Sequence, residues 1–478
     1  MTPRRKAIIL ASCCLSLLIV SMDATIVNVA IPAIRADLDA SPSQLQWVVD
    51  IYTLVLASLL ILAGASGDRF GRRRVFQIGL TAFAFGSLLC SLAPDMDTLI
   101  AARLIQAVGG SMMNPVALSI VSQVFTGPVE RARALGFWGS VVGISMALGP
   151  IVGGLLIELI SWRAVFWINL PICAAAIILT AVFVPESKSA TMRNIDPIGQ
   201  VLAVLFLFGV VFTLIEGPVL GWTNPRTVTA GVVAAVAFVL FLGYESRRHD
   251  PFIDLRFFRS IPFSSATVTA ISAFAAWGAF LFMMSLYLQG ERGYSAMDTG
   301  LIYLPIALGA LLFSPLSGRM VGRFGARPSL LIAGVLITSA AVMLTFLTAS
   351  TPVWALLLVF AVFGIGFSMV NAPITNAAVS GMPLERAGAA SAVTSTSRQI
   401  GVSIGVALCG SVAGGALAGT TTDFAASARP LWFVCVALGV VITVLALFST
   451  SGRALRSAER LAPLIAGEPT ARGASRAA

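Results

Sequence analysis

At 478 residues, the chain is 58% hydrophobic and only 11% charged, with a mean hydropathy of +0.93. Water-soluble globular proteins carry roughly a quarter charged residues, so that class is excluded. The net charge of +10 does not point to nucleic acid, because the basic residues are sorted by side of a membrane.

A bilayer core of about 30 Å takes about 20 apolar residues as one helix. The sequence offers fourteen such runs, near 8–31, 45–65, 75–93, 97–123, 134–157, 163–184, 198–217, 227–244, 262–288, 299–318, 329–348, 353–379, 388–418 and 431–450. With the N-terminus in the cytoplasm and each run crossing once, the cytoplasmic segments hold 24 of the 31 Lys and Arg. The opposite side holds five, and Arg103 and Arg398 lie inside spans. That is the positive-inside bias, and an even number of spans puts both termini in the cytoplasm. The opening Arg4-Arg5-Lys6 before an apolar run imitates a signal peptide. The run continues past Asp23 to Pro32, however, and reads as the first span.

In that first span sits Asp23, and in the second Asp50; at 1.5 Å per residue they lie about 14 and 8 Å deep in the outer half. Burial favours a neutral acid and a nearby arginine favours its anion. A carboxylate that trades Arg103 for a proton is therefore a coupling device, with a structural hydrogen bond as the alternative for each acid. The turn after the second span carries Gly64-Ala65-Ser66-Gly67-Asp68-Arg69-Phe70-Gly71-Arg72-Arg73-Arg74. Glycine permits a tight turn there. Asp68 can face a helix N-terminus or pair with an arginine, locking the turn in one conformation; a plain basic topology signal is the alternative.

The fourth span aligns Arg103, Gln106, Gly110 and Asn114 in one stripe at three- and four-residue spacing. An intramembrane charge marks a functional site by default, although Arg103 is near enough to the span's start to snorkel. Gly139, Gly143 and Ala147 share one face of the fifth span, where small residues permit close helix contact, and Pro150 bends it within Gly149-Pro150-Ile151-Val152-Gly153-Gly154. The ninth span offers Phe274, Trp277 and Met284 as walls of an apolar cavity or as plain packing. The thirteenth carries Ser391, Thr394, Ser395 and Arg398 on one polar face reaching mid-membrane.

Part of this series is a copy. The Gly64–Arg74 turn returns as Gly318-Arg319-Met320-Val321-Gly322-Arg323-Phe324-Gly325-Ala326-Arg327, 254 residues on, with Gly322 in place of Asp68. Pro128-Val129-Glu130-Arg131-Ala132 returns as Pro383-Leu384-Glu385-Arg386-Ala387; Gly109, Ser111, Met112 and Asn114 return as Gly366, Ser368, Met369 and Asn371. A common offset implies two copies of one six-span unit, the layout of a transporter whose halves rock about a central site. The expected units are 1–186 and 262–451, with an unduplicated helix pair at 187–261 and a disordered cytoplasmic tail at 452–478.

Enzyme chemistry has no foothold. The single histidine, His249, sits in a loop as a solvated residue, and no Ser–His–Asp grouping, P-loop or dinucleotide fingerprint occurs. The six cysteines, Cys13, Cys14, Cys90, Cys173, Cys409 and Cys435, lack CxxC or partner-like spacing and read as small apolar packing residues. Neither a cofactor nor a metal is expected.

The Gly67-Asp68-Arg69-Phe70-Gly71-Arg72-Arg73 order resembles the loop signature of the major facilitator superfamily, and Gly149-Pro150-Ile151-Val152-Gly153-Gly154 resembles the signature of its antiporter branch. Asp23-Ala24-Thr25-Ile26-Val27-Asn28-Val29-Ala30-Ile31-Pro32 resembles the first-helix signature of fourteen-span drug:proton antiporters. Arg398-Gln399-Ile400-Gly401 resembles actinobacterial antibiotic-resistance exporters of the methylenomycin-resistance type. The resemblance runs to residue 450 and implies an all-α major facilitator fold of fourteen helices, six plus two plus six. It implies proton-driven export of a small hydrophobic drug across the bacterial cell membrane. Asp23, Asp50 and Arg103 are then expected to couple protons; Gly64, Asp68, Arg69, Gly71, Arg72 and Arg73 to gate; and Gly139, Gly143, Gly149, Pro150, Gly153 and Gly154 to seal. Gln106, Asn114, Trp277, Met284, Asn371, Ser391, Thr394 and Arg398 are expected to line the cavity. The last six spans hold no Asp or Glu in their interiors, which disfavours a dication and favours a neutral, zwitterionic or weakly anionic substrate. The expected partners are the drug, protons and the bilayer, with the protein as a monomer and no nucleic acid. The alternative is a carrier of a polar nutrient or secreted metabolite. The excess of Arg over Lys (only Lys6 and Lys188) points to a high-GC bacterium.

Overall fold

The computed structural model describes residues 2–125, 127–188, 196–248, 253–380, 384–418 and 424–449, and a short stretch at 451–457 without 453 and 455. His249 and nearly all of the tail expected at 452–478 lie outside the described residues. Among those residues the structure is helical and has no strand. The helices are α1 (Pro3–Leu38), α2 (Pro42–Phe70), α3 (Arg72–Ser91), α4 (Met96–Val124), α5 (Pro128–Leu159), α6 (Ala164–Trp167) and α7 (Asn169–Phe183). They continue as α8 (Pro197–Leu220), α9 (Pro225–Arg247), α10 (Ile261–Leu286), α11 (Ala296–Ile302), α12 (Leu304–Phe324) and α13 (Ala326–Thr345). The last are α14 (Val353–Ser368), α15 (Asn371–Val379), α16 (Leu384–Ala418) and α17 (Phe424–Phe448).

Local chemistry sets these boundaries. Ser41 and Gln44 form a reciprocal capping box at the start of α2, and Ser295 and Asp298 form another at α11. Asp95, Asp196 and Asn224 cap α4, α8 and α9 with their side chains. Three spans expected to be single are each split in two: 163–184 into α6 and α7, 299–318 into α11 and α12, 353–379 into α14 and α15. The cause is common. Pro171, Pro305 and Pro373 each follow the break by two or three residues, and a proline ring excludes the carbonyl four positions back. Joined across those breaks, twelve helical stretches among the described residues are long and apolar enough to cross a membrane. The helices α5 and α16, of 32 and 35 residues, lie outside that count.

The internal copy is visible as geometry. Gly71 and Gly325, at the α2–α3 and α12–α13 turns, both adopt positive φ, +112° and +78°, which only glycine does without strain. Gly109 of α4 packs on the backbone of Phe83 in α3, and its counterpart Gly366 of α14 packs on the backbone of Ile337 in α13. Phe83 and Ile337 are themselves 254 residues apart.

Successive spans reverse direction, so the turns after α2, α4, α7, α9 and α12 share the Arg-rich end of the bundle, here the basic end, and those after α1, α3, α5, α8, α10 and α13 share the far end. The two ends are packed differently. At the far end a single apolar cluster joins Ile26, Ile34 and Val48 of α1 and α2 with residues of α10 to α17. Toward the basic end, α1 to α7 close on a cluster of their own around Phe76, Phe83 and Val121. Between the two sets, α8 lies against both α2 and α16. Its polar tethers run to α2: Gln200 donates to the Ser58 carbonyl at 2.5 Å, and Trp47 Nε1 donates to Glu216 at 2.7 Å.

Candidate functional site

The α1, α3, α4 and α7 helices bring five polar side chains to one buried point. Arg103 Nη1 of α4 donates to Asp23 Oδ2 of α1 at 2.5 Å and to Gln106 Oε1 at 2.7 Å; its Nε donates to the Val48 carbonyl at 3.1 Å. Gln106 Nε2 donates to Asp23 Oδ1 at 2.8 Å and to Ser87 Oγ of α3 at 2.7 Å. Asn169 Nδ2 of α7 reaches the same two atoms at 3.1 and 3.2 Å. The Tyr52 ring supports the guanidinium, 4.2 Å from ring centroid to Cζ. Asp23, Gln106, Ser87 and Asn169 are 0% exposed and Arg103 is 1% exposed.

An ion pair so desolvated is held because each charge has hydrogen-bonding partners besides the other. Removing one member leaves a buried, unpaired charge at a cost of about 3–5 kcal/mol. The polar stripe of the fourth span is thereby joined to Asp23. Ser87, Asn169 and Tyr52 are partners the sequence did not single out. Asn169, an amide within an apolar run, carried the clearest signal of the three. Gly86 allows the assembly: a Cβ there would overlap the Gln106 backbone.

Asp50 stands apart. It is fully buried, neither carboxylate oxygen has a hydrogen-bond partner among the described residues, and it faces Ser403 of α16, whose hydroxyl is also unbonded. It does not touch Arg103.

The turn at the basic end is tied from three sides. Asp68 Oδ1 accepts from Arg72 Nη2 at 2.7 Å and Nε at 3.1 Å, and Arg72 Nη1 reaches Gln123 at the end of α4. Gly64 and Gly67 let α2 lie on Pro115 and Val116 of α4. A third tie was not anticipated: Glu186, just past α7, accepts the Arg73 amide at 3.1 Å, while Ser187 O accepts the Arg72 amide at 2.9 Å. Arg73 Nη2 bonds the Ala181 carbonyl, and Arg69 points outward over Phe70. In the second copy, nothing lies within 4 Å of a Cβ built at Gly318, Gly322 or Gly325.

Glycines of α5 serve two contacts. A Cβ at Gly149 would meet Thr25 and the Met22 carbonyl, and one at Gly153 would meet Ile26, so this face lies on the α1 turns around Asp23. The other face meets α11: a Cβ at Gly154 would overlap Ala296 and Met297, and one at Gly300 would lie 2.5 Å from the Pro150 carbonyl. Gly139 and Gly143 lie earlier on α5.

The expected cavity residues are dispersed. Gln106 belongs to the Asp23 network. Asn114 is half-buried, with an unpartnered Oδ1. Trp277 is stacked on Phe367 at 4.4 Å inside the C-terminal packing, and Met284 is fully buried. Thr394 bonds its own helix at Ala390, Ser391 is half-buried, and Asn371 offers its carbonyl to Arg398 at 3.5 Å. Among the described residues no metal-binding group of His, Cys, Asp or Glu occurs, and all six cysteines are free.

The family model of the Major Facilitator Superfamily matches residues 13–406. Multidrug resistance protein Stp of Mycobacterium tuberculosis is 37% identical over 410 residues, 86% of this chain and 76% of that protein. Methylenomycin A resistance protein of Streptomyces coelicolor is 38% identical over 397 residues, 82% of each. Tetracenomycin C resistance and export protein of Streptomyces glaucescens is 35% identical over 395 residues, 82% of this chain and 73% of that one. Among solved structures, the human organic anion transporter MFSD10 (TETRAN) superposes with a TM-score of 0.61 at 15% identity, covering 93% of this chain and all of that one, a likeness of fold.

Proposed function

The chain belongs to the major facilitator superfamily, a multi-pass transporter family of the membrane, and we propose that it is a proton-coupled antiporter exporting a hydrophobic, drug-like compound from a bacterial cell. The names of its relatives, resistance and export proteins for several antibiotics, favour export over uptake. In this reading the chain crosses the membrane fourteen times, with α5 and α16 among the spans and the basic end in the cytoplasm. Units 1–186 and 262–451 rock against each other, and the pair within 187–261 is an insertion.

The observation that carries the proposal is the Asp23–Arg103 pair, buried with Gln106, Ser87 and Asn169. A proton arriving at Asp23 cancels the carboxylate charge that Arg103 faces, and the guanidinium must then find other acceptors. That is a two-state switch of the kind alternating access needs. The Gly149 and Gly153 face of α5 rests on the α1 segment holding Asp23, and its other face meets α11. A change at Asp23 thus has a packed path to the far-end contact between the two units.

The test is drug-dependent proton movement in proteoliposomes under an imposed pH gradient. The compound is chosen from an efflux panel in pump-deficient cells with and without a protonophore. Asp23→Asn is expected to bind the compound and lose proton-driven transport. Full coupling in that variant would remove Asp23 from the role and make Asp50 the first candidate.

A further inference from the structure

The other intramembrane arginine, Arg398, has no acid. It stands on α16 about 21 Å from Leu384 at 1.5 Å per residue, deep in the bundle. Its Nη2 donates to Thr375 Oγ1 at 2.7 Å and weakly to the Asn371 carbonyl at 3.5 Å, and the Phe274 ring lies 5.8 Å from Cζ. Nε is buried with no partner, and Nη1 has none among the described residues. No ion pair found among the described residues includes it. A guanidinium cannot shed its proton to escape this. A cation at such depth is costly unless an anion or several acceptors face it.

The direction in which Arg398 points follows from its helix. At 100° per residue, Gly401, Val402 and Gly405 on one flank pack against α10, at Ile271, Gly278 and Ala275. On another flank, Val406 and Gly410 meet Gln46 of α2. By the same rotation Arg398 falls within the arc that packs on α10, while Ser391 and Ser395 lie about 20° and 60° round toward the α2 flank, so the polar face borders the seam between the two halves. Ser391, Ser395 and Arg398 are half-buried and Thr375 is exposed, so the seam reaches them. Behind Arg398, Phe274 is held edge-on by Phe367, itself stacked on Trp277, which makes that wall stiff and apolar.

Resting on the export reading, we propose that Arg398, with Thr375 and Ser391 at its rim and the Phe274 ring behind it, is the subsite for an acidic oxygen of the substrate. The exported class is then a ring compound bearing a carboxylate, phenolate or enolate. The substrate anion supplies the missing counter-charge, and Nε and Nη1 supply the unused donors. A cationic drug is repelled here, since no described acid shares the site.

The full-length protein in nanodiscs is titrated with the matched pair 2-naphthoate and 2-naphthamide. Wild type is expected to bind the carboxylate about tenfold or more tighter than the amide, the range for hydrogen bonds to a charged group. Arg398→Gln is expected to abolish that preference while holding amide affinity within about twofold, which also reports that the variant is folded. Arg398→Lys is expected to keep part of it. No preference in wild type, or a preference that survives Arg398→Gln, overturns the assignment. In wild type, no preference alongside intact proton-driven export would sink the subsite alone; a clear preference without proton-driven export would sink the export reading alone.

Discussion

Adding one methyl group at Gly154 separates sealing between the halves from packing within one of them. A Cβ there lies 2.9 Å from Met297 Cα and closer still to the Ala296 carbonyl oxygen, both backbone atoms of α11 that cannot swing aside. Overpacking of this kind costs about 1–3 kcal/mol. The contact joins α5 to the C-terminal helices and exists only while the far end is closed, so the cost falls on that state alone. Its population relative to the open state is expected to fall roughly 5–150-fold. Spin labels at the exposed Glu158 and Glu291 report it as growth of the longer distance in the distribution. Gly300→Ala, against the Pro150 carbonyl, is expected to do the same. Gly149→Ala is the control: its Cβ meets Thr25 and Met22 of α1, inside one half, and is expected to lower thermal stability while moving the distances less than Gly154→Ala does. If Gly149→Ala opens the far end as much as Gly154→Ala does, or neither does, the assignment of separate duties to the two faces of α5 is wrong.

Asp68→Asn removes the charge that binds Arg72 twice and is expected to cut efflux tenfold or more with expression unchanged, whereas Gly322→Ser, with nothing within 4 Å, will leave it near wild type. Equal tolerance at both positions in a resistance assay would end the asymmetric-latch idea. Glu186→Gln weakens the acceptor for the Arg73 amide and is expected to speed hydrogen exchange at the start of α3 severalfold; unchanged protection would mean the linker does not brace the turn. Trp47→Phe removes the donor to Glu216 and is expected to lower thermal stability by about 1 kcal/mol, with no effect if α8 is held by apolar contacts alone.

Much of the candidate site was legible because charge inside a membrane is scarce. With few acids in the spans, the spacing of Arg103, Gln106, Gly110 and Asn114 was enough to link Arg103 with Asp23, and the structure pairs them at 2.5 Å. Ser87 and Asn169 were not legible, because neutral polar residues are ordinary in transmembrane helices and only the approach of α3 and α7 turns them inward. The repeat was readable from offsets alone, down to the glycine turns. The breaks before Pro171, Pro305 and Pro373 were not, since prolines are tolerated within spans and hydropathy averages across them. Trp277 and Met284 have the spacing of a cavity wall and the burial of core residues; periodicity gives a face, and it cannot say what that face meets.

In the proposed mechanism the two arginines within the spans have different tasks. Arg103 is neutralised by a carboxylate of its own half and enclosed by Tyr52 and Phe166, so a small ion such as a proton can act on it while a drug cannot reach it. Arg398 has neither acid nor full enclosure, and an exposed threonine stands beside it. The two arginines sit in non-equivalent spans of the repeat, the fourth and the thirteenth, and in different settings: a closed ion pair in one half and an open cation in the other. The same divergence appears at the turns, where Asp68 binds Arg72 and Gly322 binds nothing. In the proposed exchanger one half senses the driving ion and the other holds the cargo. Restoring symmetry is therefore expected to cost coupling before it costs folding. Gly322→Asp, which returns the acid to the second turn, has open space to enter and no partner to clash with. It is expected to fold as wild type and to change the ratio of protons moved to drug exported. An unchanged ratio would show that the asymmetry of the turns plays no part in the coupling.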